Sequence, residues 1–122
     1  MFDFSKTAID WIKKNNPIKN HTVLGVGDIQ KISYEGNDFN NFFDVITCID
    51  VTEHLPSKIY KKGIRELFRV LKPSGILIVM QGNSNNIEHI NVRTEKQYIL
   101  DFLKSGFKLV KNFPHRHYYL TK

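Results

Sequence analysis

Two apolar runs rich in β-branched residues, FFDVITCID at 42–50 and ILIVM at 76–80, flank a segment whose apolar residues recur at helical spacing. This strand, helix, strand order constrains the chain more than any other feature. A run apolar on both faces is the signature of an interior strand of a parallel sheet, and parallel neighbours need a crossover, usually a helix. Between them, Pro56 and Ser57 open a helix carrying Ile64, Leu67, Phe68 and Leu71 at i, i+3, i+4 and i+7, and Lys72-Pro73-Ser74-Gly75 is its expected stop.

The remaining elements follow from caps and breakers. Ser5 is an N-cap candidate for a helix with Ala8, Ile9 and Ile12 on one face, ending near Asn15-Asn16-Pro17. HTVLGVGD at 21–28 predicts a short strand closing in a glycine-bearing turn, and NDFNN at 37–41 a loop. Thr94 can cap a helix carrying Tyr98, Ile99, Phe102 and Leu103 that stops at Gly106, after which FKLVKNF and HYYLTK predict antiparallel strands around Pro114. The sum is an α/β fold, mostly parallel at its centre with a C-terminal antiparallel hairpin. At 122 residues, with no repeat or linker, residues 1–122 form a single domain.

Composition excludes several classes. Hydrophobic residues make up 41% of the chain, with nine Phe and five Tyr, so it is not a disordered polymer. The net charge of +6 permits a polyanion partner, but the lysines are scattered without a block of five, so nucleic acid is weakly supported. The single cysteine, Cys48, excludes an internal disulfide and lies in an apolar run, where a packed core role is expected; a reducing, cytoplasmic setting follows. No stretch has the length and apolarity of a membrane span.

In open α/β sheets ligands bind outside the carboxyl ends of the strands. That directs attention to Asp3, Gly27-Asp28, Asp50 to His54 and Gln81 to Asn83. A carboxylate at Asp3 can accept from both hydroxyls of a ribose, or serve as a helix-start acid. Asp28 can accept from an exocyclic amine, or simply hold a turn. Gly25-Val26-Gly27 lacks the third glycine of a dinucleotide fingerprint and is set aside as one. Asp50, Glu53 and His54 can form a general base, a divalent-cation site or a lid; spacing alone favours Glu53 and His54 starting the next helix. Among the histidines, 21, 89, 115 and 117 show no tight zinc-ligand spacing, and His115 and His117 are expected to alternate on a strand.

With these segments in order, the chain resembles class I S-adenosylmethionine-dependent methyltransferases of the broad type 11 or 12 group. FDVITCIDVTEHL resembles that family's fourth-strand segment, and IRELFRVLKPSGILIVMQGN its helix, Lys-Pro-Gly turn and fifth strand, with Ser74 at the first turn glycine. TEKQYILDFLKSGFKLV is similar to the late helix ending in Gly-Phe, GDIQKISYEGNDF to the Gly-Asp-Ile segment, and FDFSKTAIDWIKKNNP to the segment opening on the acid after the second strand. The resemblance implies a Rossmann-like sheet, S-adenosylmethionine as cofactor and an unidentified, small-molecule methyl acceptor. It implies ribose binding by Asp3 with Phe4 beside the adenine, and adenine contacts from Asp28 and Ile29, next to Gly27. Asp50 and Val51 would lie near the methionine end, with His54 or His89 as general base. A metal set of Asp50, Glu53 and His54, known from some members, is not expected, because Asp50 is one methylene shorter than their glutamate.

The family's first strand and glycine-rich loop belong roughly twenty residues before the acid at position 3, so the domain is expected to lack its first strand and helix and to leave the sheet open. Weak or no cofactor binding by the isolated chain is the corresponding expectation. The competing reading is a non-catalytic remnant or interaction module, completed by self-association or a partner strand on the open sheet. A nicotinamide-dependent oxidoreductase would need the absent glycine fingerprint and is set aside.

Overall fold

The computed structural model describes residues 2–3, 5–15, 25–82 and 87–122. Its main sheet has four strands in the order β5-β6-β8-β7, formed by β5 (Phe43–Ile49), β6 (Leu71–Met80), β7 (Lys108–Phe113) and β8 (His117–Thr121). β5 and β6 run parallel, while β8 pairs antiparallel with both β6 and β7. The α/β architecture with a C-terminal hairpin is as the sequence implies.

Side-chain alternation decides where the core lies. Cys48, Leu77, Val79, Tyr118 and Leu120 point to one face, where α2 (Ser57–Val70) and α3 (Glu95–Lys104) cover them with Tyr60, Ile64, Leu67, Tyr98 and Phe102. The opposite positions on β5 and β6, Val45, Ile49 and Ile76, are 55%, 45% and 42% exposed. A parallel pair normally has both faces covered. Among the described residues, helices cover one.

α3 starts as expected: Thr94 accepts from the Gln97 N–H at 3.3 Å while the Gln97 side chain accepts from the Thr94 N–H at 3.2 Å, a reciprocal capping box. α2 departs from expectation. It ends at Val70, and Leu71 is already the first residue of β6 rather than part of the helical stripe. Phe43 pairs with Leu71 but Val45 with Ile76, so Lys72 to Gly75 bulge out within the strand, with Ser74 at φ 62°. The Pro-Gly signal thus marks a bulge instead of a helix stop.

The first part of the chain builds a smaller unit. β1 (Phe2–Asp3) and β2 (Gly25–Val26) pair in parallel, and α1 (Lys6–Asn15) follows β1 with Ser5 Oγ accepting from the Ala8 N–H at 3.2 Å. Of the predicted strand at 21–28, residues 21–24 lie outside the described residues. A hairpin absent from the sequence reading joins β3 (Ser33–Tyr34) to β4 (Asn37–Asp38), so part of the expected 37–41 loop is strand. Glu35 and Gly36, both at positive φ, make its two-residue turn, the combination whose twist matches the flanking strands.

This unit is held against α2 by a close approach and a polar bridge. Ile29 lies over Gly63, where a Cβ would stand 3.1 Å from Ile29 Cγ1. Glu66 Oε1 accepts from the Ile32 N–H at 2.6 Å, and Arg69 Nη2 donates to the Ile32 carbonyl at 3.3 Å. An aromatic chain, Phe2 to Phe39 to Phe43, links β1 to the start of β5 with ring centroids 6.0 and 5.3 Å apart. Between β1 and β5 lies a cavity of about 930 Å³.

Candidate active site

The crevice collects strand ends. Asp3 ends β1, Gly27 and Asp28 follow β2, and Asp50 and Val51 follow β5; all five line the cavity together with Ile29 and His54. Seven of the nine residues proposed from sequence therefore share one crevice. Phe4 lies outside the described residues. His89 is not a wall of the cavity but stacks edge-on against His54, ring centroids 4.7 Å apart.

The local bonds of the acids are those of chain geometry. Asp3 Oδ1 accepts from the Ser5 N–H at 2.8 Å, and its carbonyl accepts from the Gly27 N–H at 2.9 Å, joining the two strand ends. Asp28 takes both the N–H and the side-chain amide of Gln30, at 2.8 and 2.9 Å. Each carboxylate retains acceptor capacity, since an ionised carboxylate has about four lone-pair sites. Asp50 adopts φ 51°, a left-handed conformation that asparagine and aspartate tolerate better than most side chains. It turns the chain sharply at the end of β5.

The segment after Asp50 does not begin α2: Thr52 and Glu53 are buried, while Val51 and the exposed His54 line the cavity. Thr52 to His54 make a short 3₁₀ turn, and α2 starts only at Ser57. Glu53 is fully buried, with Oε1 accepting from the Gly82 N–H at 2.6 Å and Oε2 from the Thr52 hydroxyl at 3.4 Å. Thr52 Oγ1 is also 3.0 Å from the Tyr98 hydroxyl, which ties the turn to α3. The Asn91 N–H donates to the Glu53 carbonyl at 2.9 Å and draws the 87–91 loop onto the turn. This is how His89, far away in sequence, reaches His54.

Glu53, His54 and His89 each present one donor atom within 4.8 Å of the others. Asp50, expected beside Glu53 and His54, is not in this group, because its left-handed turn separates it from the 3₁₀ segment. A buried carboxylate is costly unless paired. Among the described residues no lysine or arginine forms an ion pair with Glu53, and the two imidazoles stand nearest in role. His54 Nδ1 lies 3.2 Å from the Glu88 carbonyl, which only accepts, so Nδ1 is the donor and Nε2 is the nitrogen left to face a ligand. Gly82 makes room for two of them: a Cβ there would come within 2.5 Å of Glu53 Oε1 and 2.6 Å of His89 Cε1.

Two other residues settle as structural. Cys48 is buried, and burial first, then the Glu53 carboxylate, pushes its thiol up to about 12, so it is no nucleophile. His115 sits in the β7–β8 turn at φ 62° and only His117 enters a strand, correcting the expected alternation. Gly82 falls within the Gln81 to Asn83 strand end that the sequence singles out, but its part in making space for Glu53 and His89 depends on tertiary packing.

An α/β sheet with acids at three strand ends around one crevice is the arrangement of the Rossmann-like class. The sequence family described as methyltransferase domain matches residues 1–79, well over half of the chain. The chain belongs to that family, within the class I S-adenosylmethionine-dependent methyltransferases. A ubiquinone biosynthesis O-methyltransferase of Rickettsia conorii is 30% identical over 111 residues, covering 87% of this chain and 34% of that protein. The chain thus spans about a third of the length of the curated relatives it matches. Among solved structures, a SAM-dependent methyltransferase from Aquifex aeolicus superposes with a TM-score of 0.74 at 19% identity, covering 98% of this chain and 65% of that one. The [4+2]-cyclase SpnF superposes with a TM-score of 0.73 at 18% identity, covering 90% and 42%. One fold carries two chemistries, so the reaction must be argued from the site.

Proposed function

We propose that this domain binds S-adenosylmethionine in the crevice between β1 and β5 and directs its methyl group to a hydroxyl of a small-molecule acceptor. The observation that carries the reading is the convergence of Asp3, Asp28, Asp50 and His54 on one cavity. Asp3 would hold the ribose hydroxyls, Asp28 the adenine amine with Ile29 beside the ring, and Asp50 and Val51 the methionine end. The bound cofactor supplies an activated methyl group on a sulfonium; the protein supplies position and a proton acceptor. His54 Nε2 would be the group to take the proton of the acceptor hydroxyl. Relatives named ubiquinone biosynthesis O-methyltransferase favour a phenolic hydroxyl.

Titration with S-adenosylhomocysteine, followed by amide chemical shifts, tests the crevice even when affinity is low. Shifts should concentrate at Asp3, Gly27 to Ile29 and Asp50 to Val51, and Asp3→Ala should weaken binding about tenfold. Shifts confined to α3 and β7 would sink the reading. Where turnover of a catechol probe is measurable, His54→Gln should slow it about a hundredfold, within the range for loss of a general base.

The buried Glu53 carboxylate favours a second reading of the same corner. Glu53, His54 and His89 are the residues that would hold a divalent cation, with imidazole and carboxylate donors suited to one, and such an ion polarises an acceptor oxygen. Mn²⁺ should then broaden the amide signals of Glu53, His54 and Gly82 and spare those of Asp28. Broadening spread evenly over surface carboxylates would remove the cation and leave His54 as the base.

A further inference from the structure

Gln81 follows β6 directly, is 1% exposed and is not a wall of the crevice, yet both ends of its side-chain amide are bonded. Oε1 accepts from Arg116 Nη2 at 2.6 Å and from the Arg93 N–H at 3.4 Å, and Nε2 donates to the Asn91 carbonyl at 3.3 Å. A guanidinium only donates, so Oε1 has to face Arg116, and Nε2 is left for a carbonyl that only accepts. Arg116 Nη2 donates to the Arg93 carbonyl as well. One guanidinium nitrogen therefore fixes how Gln81 is turned and where the chain enters α3.

Asn91 carries this order into the candidate active site. Its N–H donates to the Glu53 carbonyl at 2.9 Å, and its side-chain oxygen accepts from the Ser57 hydroxyl at 3.2 Å. Two residues earlier stands His89, against the ring of His54. Ile87 and Ile90 are 97% and 63% exposed, so apolar burial does little to seat the 87–91 loop, and polar bonds decide where His89 stands.

Arg116 itself is held in an unusual backbone conformation. It sits in the turn of residues 114–116 at φ 63°, beside His115 at φ 62°. Two successive left-handed positions suit glycine or asparagine, and strain of this kind persists where surrounding contacts fix the residue. An arginine here serves its side-chain bonds rather than the turn.

We propose that Arg116 is a positioning residue of the candidate active site: acting through Gln81 and Asn91, it sets the stance of His89 against His54 and the buried Glu53 carboxylate. Its catalytic consequence rests on the methyl-transfer reading, while the ring contact is a property of the chain alone.

Arg116→Gly tests this directly, because glycine relieves the turn while removing the guanidinium. Amides of β7 and β8 should exchange as in the parent chain and the urea midpoint should hold. The Asn91 amide should exchange about tenfold faster, through local opening of its loop, and the NOE between the His54 and His89 rings should fall at least about threefold. Arg116→Lys, whose ammonium can still donate to both acceptors, should recover part of both signals. Gln81→Met removes the relay, and combined with R116G it should add nothing to the larger single effect, as expected of groups acting in series. Where turnover of a catechol probe is measurable, R116G should lower kcat about tenfold by misplacing His89, with the KM for S-adenosylmethionine nearly unchanged. An unaltered ring NOE and Asn91 exchange rate in R116G would overturn the proposal, as would additive effects of Arg116 and Gln81. Faster exchange along β7 and β8 with a lowered midpoint would assign Arg116 to the hairpin and overturn it too, and so would a lost ring contact with kcat unchanged. A chain that shows the ring and Asn91 effects but does not bind S-adenosylhomocysteine would uphold the role of Arg116 and refute the methyl-transfer reading alone.

Discussion

The two walls of the crevice differ in how they are held. The β5 wall is part of a four-stranded sheet backed by α2 and α3, and its fully buried side chains include Leu77, Val79, Tyr60, Tyr98 and Phe102. Among the described residues, the β1 wall rests on a two-residue strand pair, and α1 buries only Ile9 while Trp11 is 66% exposed. The difference assigns the roles: one wall stores the folding free energy, and the other presents Asp3 and Asp28 on an element able to yield. Binding sites are often drawn from the less stable parts of a fold.

The largest effect should separate the two walls directly. Leu77→Ala, in the centre of β6, should cost about 2–5 kcal/mol and lower the global unfolding midpoint in urea. Ile9→Ala removes an equally buried side chain, yet should speed exchange of α1 amides and leave the midpoint nearly unmoved. Equal shifts in midpoint would show that the walls unfold as one.

Glu66 is the bridge between them and gives the next effect. Glu66→Ala leaves the Ile32 N–H without its acceptor and Arg69 with Asp38 as its remaining carboxylate partner, an expected loss of about 1–3 kcal/mol for the contact between walls. Hydrogen bonds from Arg69 hold the Glu66 carboxyl below its ordinary value. A depressed carboxylate stabilises above its unfolded value, about 4.3, and that contribution is lost as pH falls through the folded value. Glu66→Gln should therefore flatten the acid limb of the stability curve, measured by urea titrations from pH 6 to pH 3.

Local signals were legible where one element decides the outcome. Thr94 and Gln97 announce a capping box, Ser5 an N-cap, and the two-sided apolar runs a parallel pair, because each needs only neighbours in sequence. Lys72-Pro73-Ser74-Gly75 misled because the same residues that end a helix also fit a bulge, and only pairing with β5 distinguishes the two. The corner of Glu53, His54 and His89 was half visible. The first two are adjacent, but their meeting with His89 depends on the Asn91 bond to the Glu53 carbonyl and on the space above Gly82, both products of tertiary packing. Asp50 fell out of that corner for a backbone reason that no side-chain pattern encodes.

The two helix caps make the smallest and cleanest test of the contrast. Thr94 and Ser5 do the same job with the same kind of bond, 3.3 and 3.2 Å long, so removing either hydroxyl costs its helix about 1 kcal/mol. What differs is where that free energy is felt. α3 buries Tyr98 and Phe102 in the main core and cannot fray without opening it, so Thr94→Ala should appear in full in the global unfolding free energy. α1 has only Ile9 to release, so Ser5→Ala should raise local opening of residues 6–9 about fivefold in hydrogen exchange and change global stability little. It should also weaken S-adenosylhomocysteine binding slightly, because fraying of the first turn loosens the backbone N–H that residue 5, serine or alanine, donates to Asp3. Matching global losses from the two caps would mean that the β1 wall is as firmly built as the β5 wall, and that Asp3 is fixed before any ligand arrives.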